Sequence, residues 1–274
     1  MRLLAGFLLC CALFAQPIPV LIVDGVNNHD WRAATDFLRR TLEKTGKFRV
    51  DVSTATPPFT GWRPDFSAYR VVINNFNGGH LQDGVRWPRV VEEDLVRYLR
   101  QGGGLVNYHA ANNAFLLWPE YQEIVGLLWR DKNFGPGLVV DVQRKVMVVP
   151  AGQGPQPGHG PRHDFRINVL DRKHPITRSL PAFWQHRGEQ LTHGQHGPPG
   201  SMGELHVLTY AWSKDSQRNE PLDWVRRYGR GRVYTTMLGH TWKNEANPNF
   251  LVPEFQQLLV QGVEWAATGR VSSP

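Results

Sequence analysis

The sequence predicts an α/β fold in which a mostly parallel central sheet carries helices on both sides. Three observations predict it. Short apolar runs end in turn-rich loops, as where "VLIV" at residues 20–23 follows "PIP" and stops at "DGVNNHD". Between such runs the apolar residues change to helical spacing. Strand, helix and strand then alternate along the first part of the chain, an order that favours parallel pairing with helical crossovers.

The elements follow in order. After the first strand, Trp31, Ala34, Leu38 and Leu42 recur at intervals of three and four residues, with Asp30 placed to cap the first turn and Gly46 to supply a left-handed stop. "FRVDVST" is a second strand, and a proline-rich loop leads to a third at "RVVINN". Pro88 opens a helix whose Val91, Leu95, Tyr98 and Leu99 share one face, and Gly102 to Gly104 end it before the strand "LVNY". Residues 130–220 break the rhythm with glycine, proline and histidine clusters and read as a long excursion with a few antiparallel strands. "ELHVLTYAW" and "GRVYTTMLGH" are further strands, and "PEFQQLLVQGVEWAATG" is a capped final helix.

The amino-terminal "MRLLAGFLLCCALFAQ" joins one early positive charge to an apolar run and a small residue, the pattern of a secretory signal peptide over residues 1–16. The run is shorter than the ~20 apolar residues of a membrane span. Residues 17–274 then form a single α/β domain, secreted or periplasmic, with no membrane association after cleavage. Both cysteines, Cys10 and Cys11, fall inside the removable segment, so the mature chain has no thiol for catalysis, disulfides or metal binding. Loss of Arg2 leaves 30 basic side chains, one fewer than in the whole chain, against 24 acidic ones. The arginines are scattered, and no nucleic-acid motif appears, so a basic solvated surface is the reading and nucleic acid is not an expected partner.

In open parallel sheets, ligands bind beyond the carboxyl ends of the strands. That rule selects His29, His109 and His240, each following a predicted strand, for one common rim. Imidazoles there could move protons or hold a divalent metal ion such as zinc. Asp30 beside His29 is a candidate base or a simple helix cap. Asn112 and Asn113 could bind sugar hydroxyls or cap a helix. The chain has ten tryptophans, and Trp118 and Trp242 lie close in sequence to these candidates, so a small-molecule carbohydrate cleft is a natural reading. Glu189, flanked by His186 and His193 in "FWQHRGEQLTH", is a second carboxylate-imidazole candidate on an expected solvated loop. No G-x-S-x-G elbow is present, and "GQGPQPGHG" lacks the strand and helix of a phosphate cradle.

Four segments in this order, "VDGVNNHDWRAAT", "GGGLVNYHAANNAF", "HPITRSLP" and "YGRGRVYTTMLGHTW", resemble the ThuA, or trehalose-utilisation, family over residues 20–269. The resemblance implies a flavodoxin-like three-layer sandwich similar to class I glutamine amidotransferases. It places His109 where those enzymes carry their cysteine nucleophile and His240 where they carry its base, with Trp242 in place of the usual acidic partner. A glutaminase thioester cannot form without the thiol. What the resemblance implies instead is carbohydrate metabolism, including disaccharides and oxidised keto sugars, either as an enzyme or as a non-catalytic sugar-binding protein. Gln190, Thr192 and Asn219 depart from the family pattern.

Overall fold

The computed structural model describes residues 16–78 and 85–272. The expected signal peptide lies outside the described residues except for Gln16. Among the described residues no helix is long and apolar enough to cross a membrane.

The first half follows the predicted alternation: β1 (Ile18–Gly25), α1 (Trp31–Glu43), β2 (Phe48–Ala55), β3 (Val71–Asn74), α2 (Arg89–Arg100), β4 (Gly104–Tyr108) and a short α3 (Pro119–Val125). The middle of the chain supplies β5 (Gly137–Val140), β6 (Val146–Val149), β7 (Gly158–His159), β8 (His163–Val169), β9 (Phe183–Glu189) and β10 (Thr192–His193). The remainder is β11 (His206–Ser213), β12 (Arg218–Tyr228), β13 (Gly231–Thr236) and α4 (Pro253–Thr268).

One large sheet runs in the order β2-β1-β3-β4-β13-β12-β11-β8-β9, with β5 and β6 branching from β12. The pairings from β2 through β13 are parallel. Those from β13 to β9, and those of β5 and β6, are antiparallel. The sheet is therefore mixed, which corrects the expectation of a mostly parallel one. The physical reason is that the middle segment continues the sheet: β12 turns straight back into β13 through Gly229, at φ +57°. Its strands need no crossover helix. Residues 218–228 are not legible as a strand because of Pro221, which cannot donate to a ladder. It is accommodated because β5 meets β12 only at Asn219 and β13 joins from Asp223 onward, so Pro221 lies in the gap between them.

Each helix buries one stripe. On α1, Ala34, Leu38 and Leu42 are buried against β1 and β2, and each leucine contributes roughly 1.5–3 kcal/mol by leaving water. Residues alternate across the sheet, so Val20 and Ile22 of β1 enter one core with α1 and α4, and Leu21 and Val23 enter the other with α2 and α3. The result is three layers, with the parallel strands covered on both faces and their carboxyl ends at one rim.

Candidate active site

Three of the parallel strands deliver the site. His29 leaves the loop after β1, His109 follows β4 directly, and His240 ends the loop after β13. His109 has φ +44°, a left-handed conformation that is unusual for a residue with a side chain. The chain turns there into a short 3-10 helix, His109–Asn113, which projects the imidazole off the strand end. The loops are tied together by hydrogen bonds: Asp30 N donates to Thr241 O at 3.2 Å, and the side-chain Tyr108 Oη donates to Gly239 O at 3.1 Å.

The three imidazoles meet edge to face. Ring centroids are 4.9 Å apart for His29 and His109, 4.3 Å for His29 and His240, and 5.1 Å for His109 and His240. One ring nitrogen from each lies within 4.8 Å of the others. Their protonation is largely fixed by neighbours. His109 Nδ1 is 2.7 Å from Met237 O, and because a carbonyl only accepts, Nδ1 carries the hydrogen and Nε2 the lone pair. His29 Nδ1 is 3.0 Å from Asn27 Oδ1, which also accepts from His29 N at 2.9 Å, while Asn27 Nδ2 donates to Asn75 O. Burial pushes the His109 imidazole below its usual value of 6.5. His240 is pushed down further, by burial first and then by His109, His29, His159 and Arg162. Both rings are neutral at pH 7.

These side chains border a cavity of about 330 Å³. Trp242 stands at one wall, its ring 4.0 Å from that of His240. Asn112 is buried in the wall, donating to Gln195 Oε1 at 2.6 Å and lying 3.1 Å from Met237 Sδ, while Asn113 faces the cavity beside it. The excursion closes the other side with Trp129, His159, Gln190 and Thr192. Among the described residues, no Asp, Glu, Lys or Arg side chain is part of the lining.

Three candidates sit elsewhere. Asp30 caps α1, its Oδ1 accepting from Ala33 N at 3.2 Å. Trp118 is 2% exposed and packs against Phe115 and Tyr121 in the core under α2, because the chain turns inward after the 3-10 helix. Glu189 does not lie on a solvated loop: it ends β9 with no exposure at all. Its carboxylate accepts from Gly239 N at 2.7 Å, His240 N at 3.2 Å and Asn249 Nδ2 at 2.9 Å. Burial raises its pKa, but the hydrogen bond with His186 and that from the Gly239 amide outweigh it, holding the group below its usual 4.5. Glu189 is therefore an anion that shapes the His240 turn from behind.

Sequence reasoning missed His159, Trp129, Asn28 and Met237 as lining residues. Asn28 and Met237 adjoin selected loops, and the strand-end rule could have included them. Trp129 and His159 come from the segment without periodic pattern, and nothing local marks them. Gln190 and Thr192, singled out only as departures from a family pattern, also face the cavity.

The model of a family described as "ThuA: Trehalose utilisation" matches residues 19–266. Among solved structures, a ThuA-like protein of Parabacteroides merdae is 35% identical, with a TM-score of 0.85 over 94% of this chain and 93% of that one. A ThuA-like protein of Bacteroides uniformis is 18% identical, with a TM-score of 0.64 over 95% of each chain. A protein of Salmonella typhimurium described as cytoplasmic has a TM-score of 0.56 at 13% identity, over 90% of this chain and 98% of that one, and shows the fold alone. No curated protein matches this chain.

Proposed function

This chain belongs to the ThuA family, and on that premise we propose that it is an exported carbohydrate-active enzyme that takes a glycoside or an oxidised keto sugar into the histidine-lined cavity. The observation that carries the reading is the make-up of that cavity: converging imidazoles, amides and two indoles, with no charged side chain in the lining among the described residues. Amides and imidazoles hydrogen-bond uncharged hydroxyls, and indole faces stack on the apolar face of a pyranose ring.

The chemistry then falls to imidazole. Most glycoside hydrolases use two carboxyl groups facing the substrate. Here Asp30 is engaged in capping and Glu189 is sealed behind His240. A neutral imidazole can take a proton from a hydroxyl, or from the carbon next to a keto group, if its basic nitrogen reaches the substrate. His109 has its basic Nε2 fixed by the bond from Nδ1 to Met237 O. His159 at the mouth, Nδ1 being 3.1 Å from Gly160 O, offers a second Nε2. Glutaminase chemistry has no place in this scheme, since His109 occupies the elbow and the described residues include no cysteine.

Calorimetric titration with mono- and disaccharides and their keto derivatives, run beside a product assay, tests the reading. Binding with turnover that is lost in His109→Ala is expected. Binding without turnover across the panel, retained in that variant, would instead identify a sugar-binding protein, and no binding at all would remove carbohydrate from the proposal. An amino terminus near residue 17 in the secreted protein is expected if the chain is exported.

A further inference from the structure

We propose that His29, His109 and His240 form a three-nitrogen site for a divalent transition-metal ion, with its remaining coordination position open to the cavity. The inference shares its cavity with the proposed function but does not depend on the sugar chemistry; with an ion on His109 Nε2, the proton acceptor there becomes His159 Nε2.

Four observations carry it. First, nitrogens from three separate strand ends lie within 4.8 Å of one another, against about 3.3 Å between ligands of a tetrahedral centre with metal bonds of about 2.0–2.1 Å. His109 is fixed in the wall, whereas His29 and His240 are half-buried at loop ends, where small rotations close the difference. Secondly, two of the rings already have the outer partners that metal-bound histidines use. His109 gives its Nδ1 hydrogen to Met237 O and His29 gives its own to Asn27 Oδ1, which aims the Nε2 lone pairs as ligands and fixes the tautomers in advance. The Asn27 amide is itself oriented by Asn75 O and His29 N, so its oxygen faces the ring.

Thirdly, His240 Nδ1 is buried without a hydrogen-bond partner among the described residues. A buried ring nitrogen left in this way costs roughly 1–3 kcal/mol, and coordination is one way to satisfy it. Fourthly, a buried anion backs the site. The chain carries a net charge of +7, yet among the described residues no Lys or Arg side chain lines this cavity, Arg162 being stacked over Trp242 at 4.3 Å. The buried Glu189 carboxylate accepts from His240 N and Gly239 N directly behind the triad and offsets part of the ion's charge.

A set of imidazole nitrogens selects zinc, cobalt, nickel or copper over magnesium and calcium, which prefer oxygen ligands. Three protein ligands and an open position are the pattern of catalytic rather than structural zinc. A bound ion would supply a Lewis acid for a sugar oxygen or an activated water.

The test is metal titration of tag-free mature protein, residues 17–274, after treatment with a chelator, using Zn²⁺ and then Co²⁺ as probes. One equivalent of each is expected, with Co²⁺ showing the visible absorption of a low-coordinate nitrogen-ligated centre. His29→Ala should weaken Zn²⁺ binding at least about 100-fold and Asn27→Ala by about 10-fold, both with wild-type circular dichroism. His240→Gln serves in place of His29→Ala should that variant not fold. Failure of the wild-type protein to bind Zn²⁺, Co²⁺ or Ni²⁺ stoichiometrically overturns the proposal. So does a folded His29→Ala variant with undiminished affinity. Stoichiometric binding without sugar turnover leaves the metal site standing and removes only the enzyme reading.

Discussion

The Nδ1 hydrogen of His109 is held by the carbonyl of Met237 at 2.7 Å, a contact between residues 128 positions apart in the chain. It joins the elbow after β4 to the loop after β13 and sets which nitrogen of His109 faces the cavity. The same elbow has φ +44°, so the position combines a strained backbone with an imidazole of the proposed site. A comparison of two variants separates these contributions. His109→Gly and His109→Ala both remove the imidazole, but only glycine relaxes the backbone, so His109→Gly should be about 1 kcal/mol more stable by chemical denaturation. Equal stabilities would show that the backbone at this position is unstrained. Both variants should lack activity.

Trp242 and Trp118 should respond in opposite ways. Trp242 borders the cavity, so Trp242→Ala should lower sugar affinity by up to about tenfold with little change in melting temperature. Trp118 is 2% exposed in the core beneath α2, so Trp118→Ala should cost about 3–5 kcal/mol of stability. The milder Trp118→Phe should keep sugar affinity near that of the wild type. A selective loss of sugar affinity in stable Trp118→Phe would return that residue to the site.

Gly239 precedes His240 with φ +102°, and a Cβ there would lie 2.1 Å from Tyr108 Oη. Gly239→Ala should therefore cost about 2–4 kcal/mol and disturb the His240 turn, from backbone strain and overpacking together. Gly46, at φ +69° beyond the end of α1, has nothing within 4 Å of a built Cβ. Gly46→Ala should cost only about 1 kcal/mol and leave ligand binding intact. Comparable losses in the two variants would mean that the tyrosine moves aside freely.

A pH effect is expected far from the cavity. Burial first, and then His206, push His174 from 6.5 down to about 4, with Asp171 opposing, and its Nδ1 accepts from Ile176 N at 3.2 Å. Between those two values the unfolded chain binds the proton and the folded one does not, so stability falls as pH drops from about 6.5 to about 4. His174→Asn keeps an acceptor for the Ile176 amide and removes the titration. Its melting temperature should fall less steeply over that interval than the wild type's. Parallel curves would place the pH sensitivity in other groups.

Much of the fold is legible in sequence where a local pattern has a single reading. The stripe of Ala34, Leu38 and Leu42 gives α1, and the run at residues 20–23 gives β1, since burial on both faces requires continuous apolar residues. The antiparallel half is less legible. Pro221 conceals β12, and the exposed apolar residues Val146, Met147 and Val148 of β6 carry no alternation. In the site, the strand-end rule brings out His29, His109 and His240 because strand order places their loops at one rim. Proximity in sequence misleads for Trp118, since a few residues suffice for the chain to turn from the cavity into the core.

The sequence by itself determined the layers, the parallel half of the sheet and the three histidines at strand ends, because periodicity and turn chemistry act over short stretches of chain. Only the tertiary structure decided that the middle segment extends the same sheet, that His159 and Trp129 close the cavity, and that Glu189 is buried behind His240 while Asp30 remains a cap. Those outcomes depend on contacts between residues far apart in the chain, such as Glu189 with the Gly239 and His240 amides, and no local pattern encodes which distant backbone groups a buried carboxylate will meet.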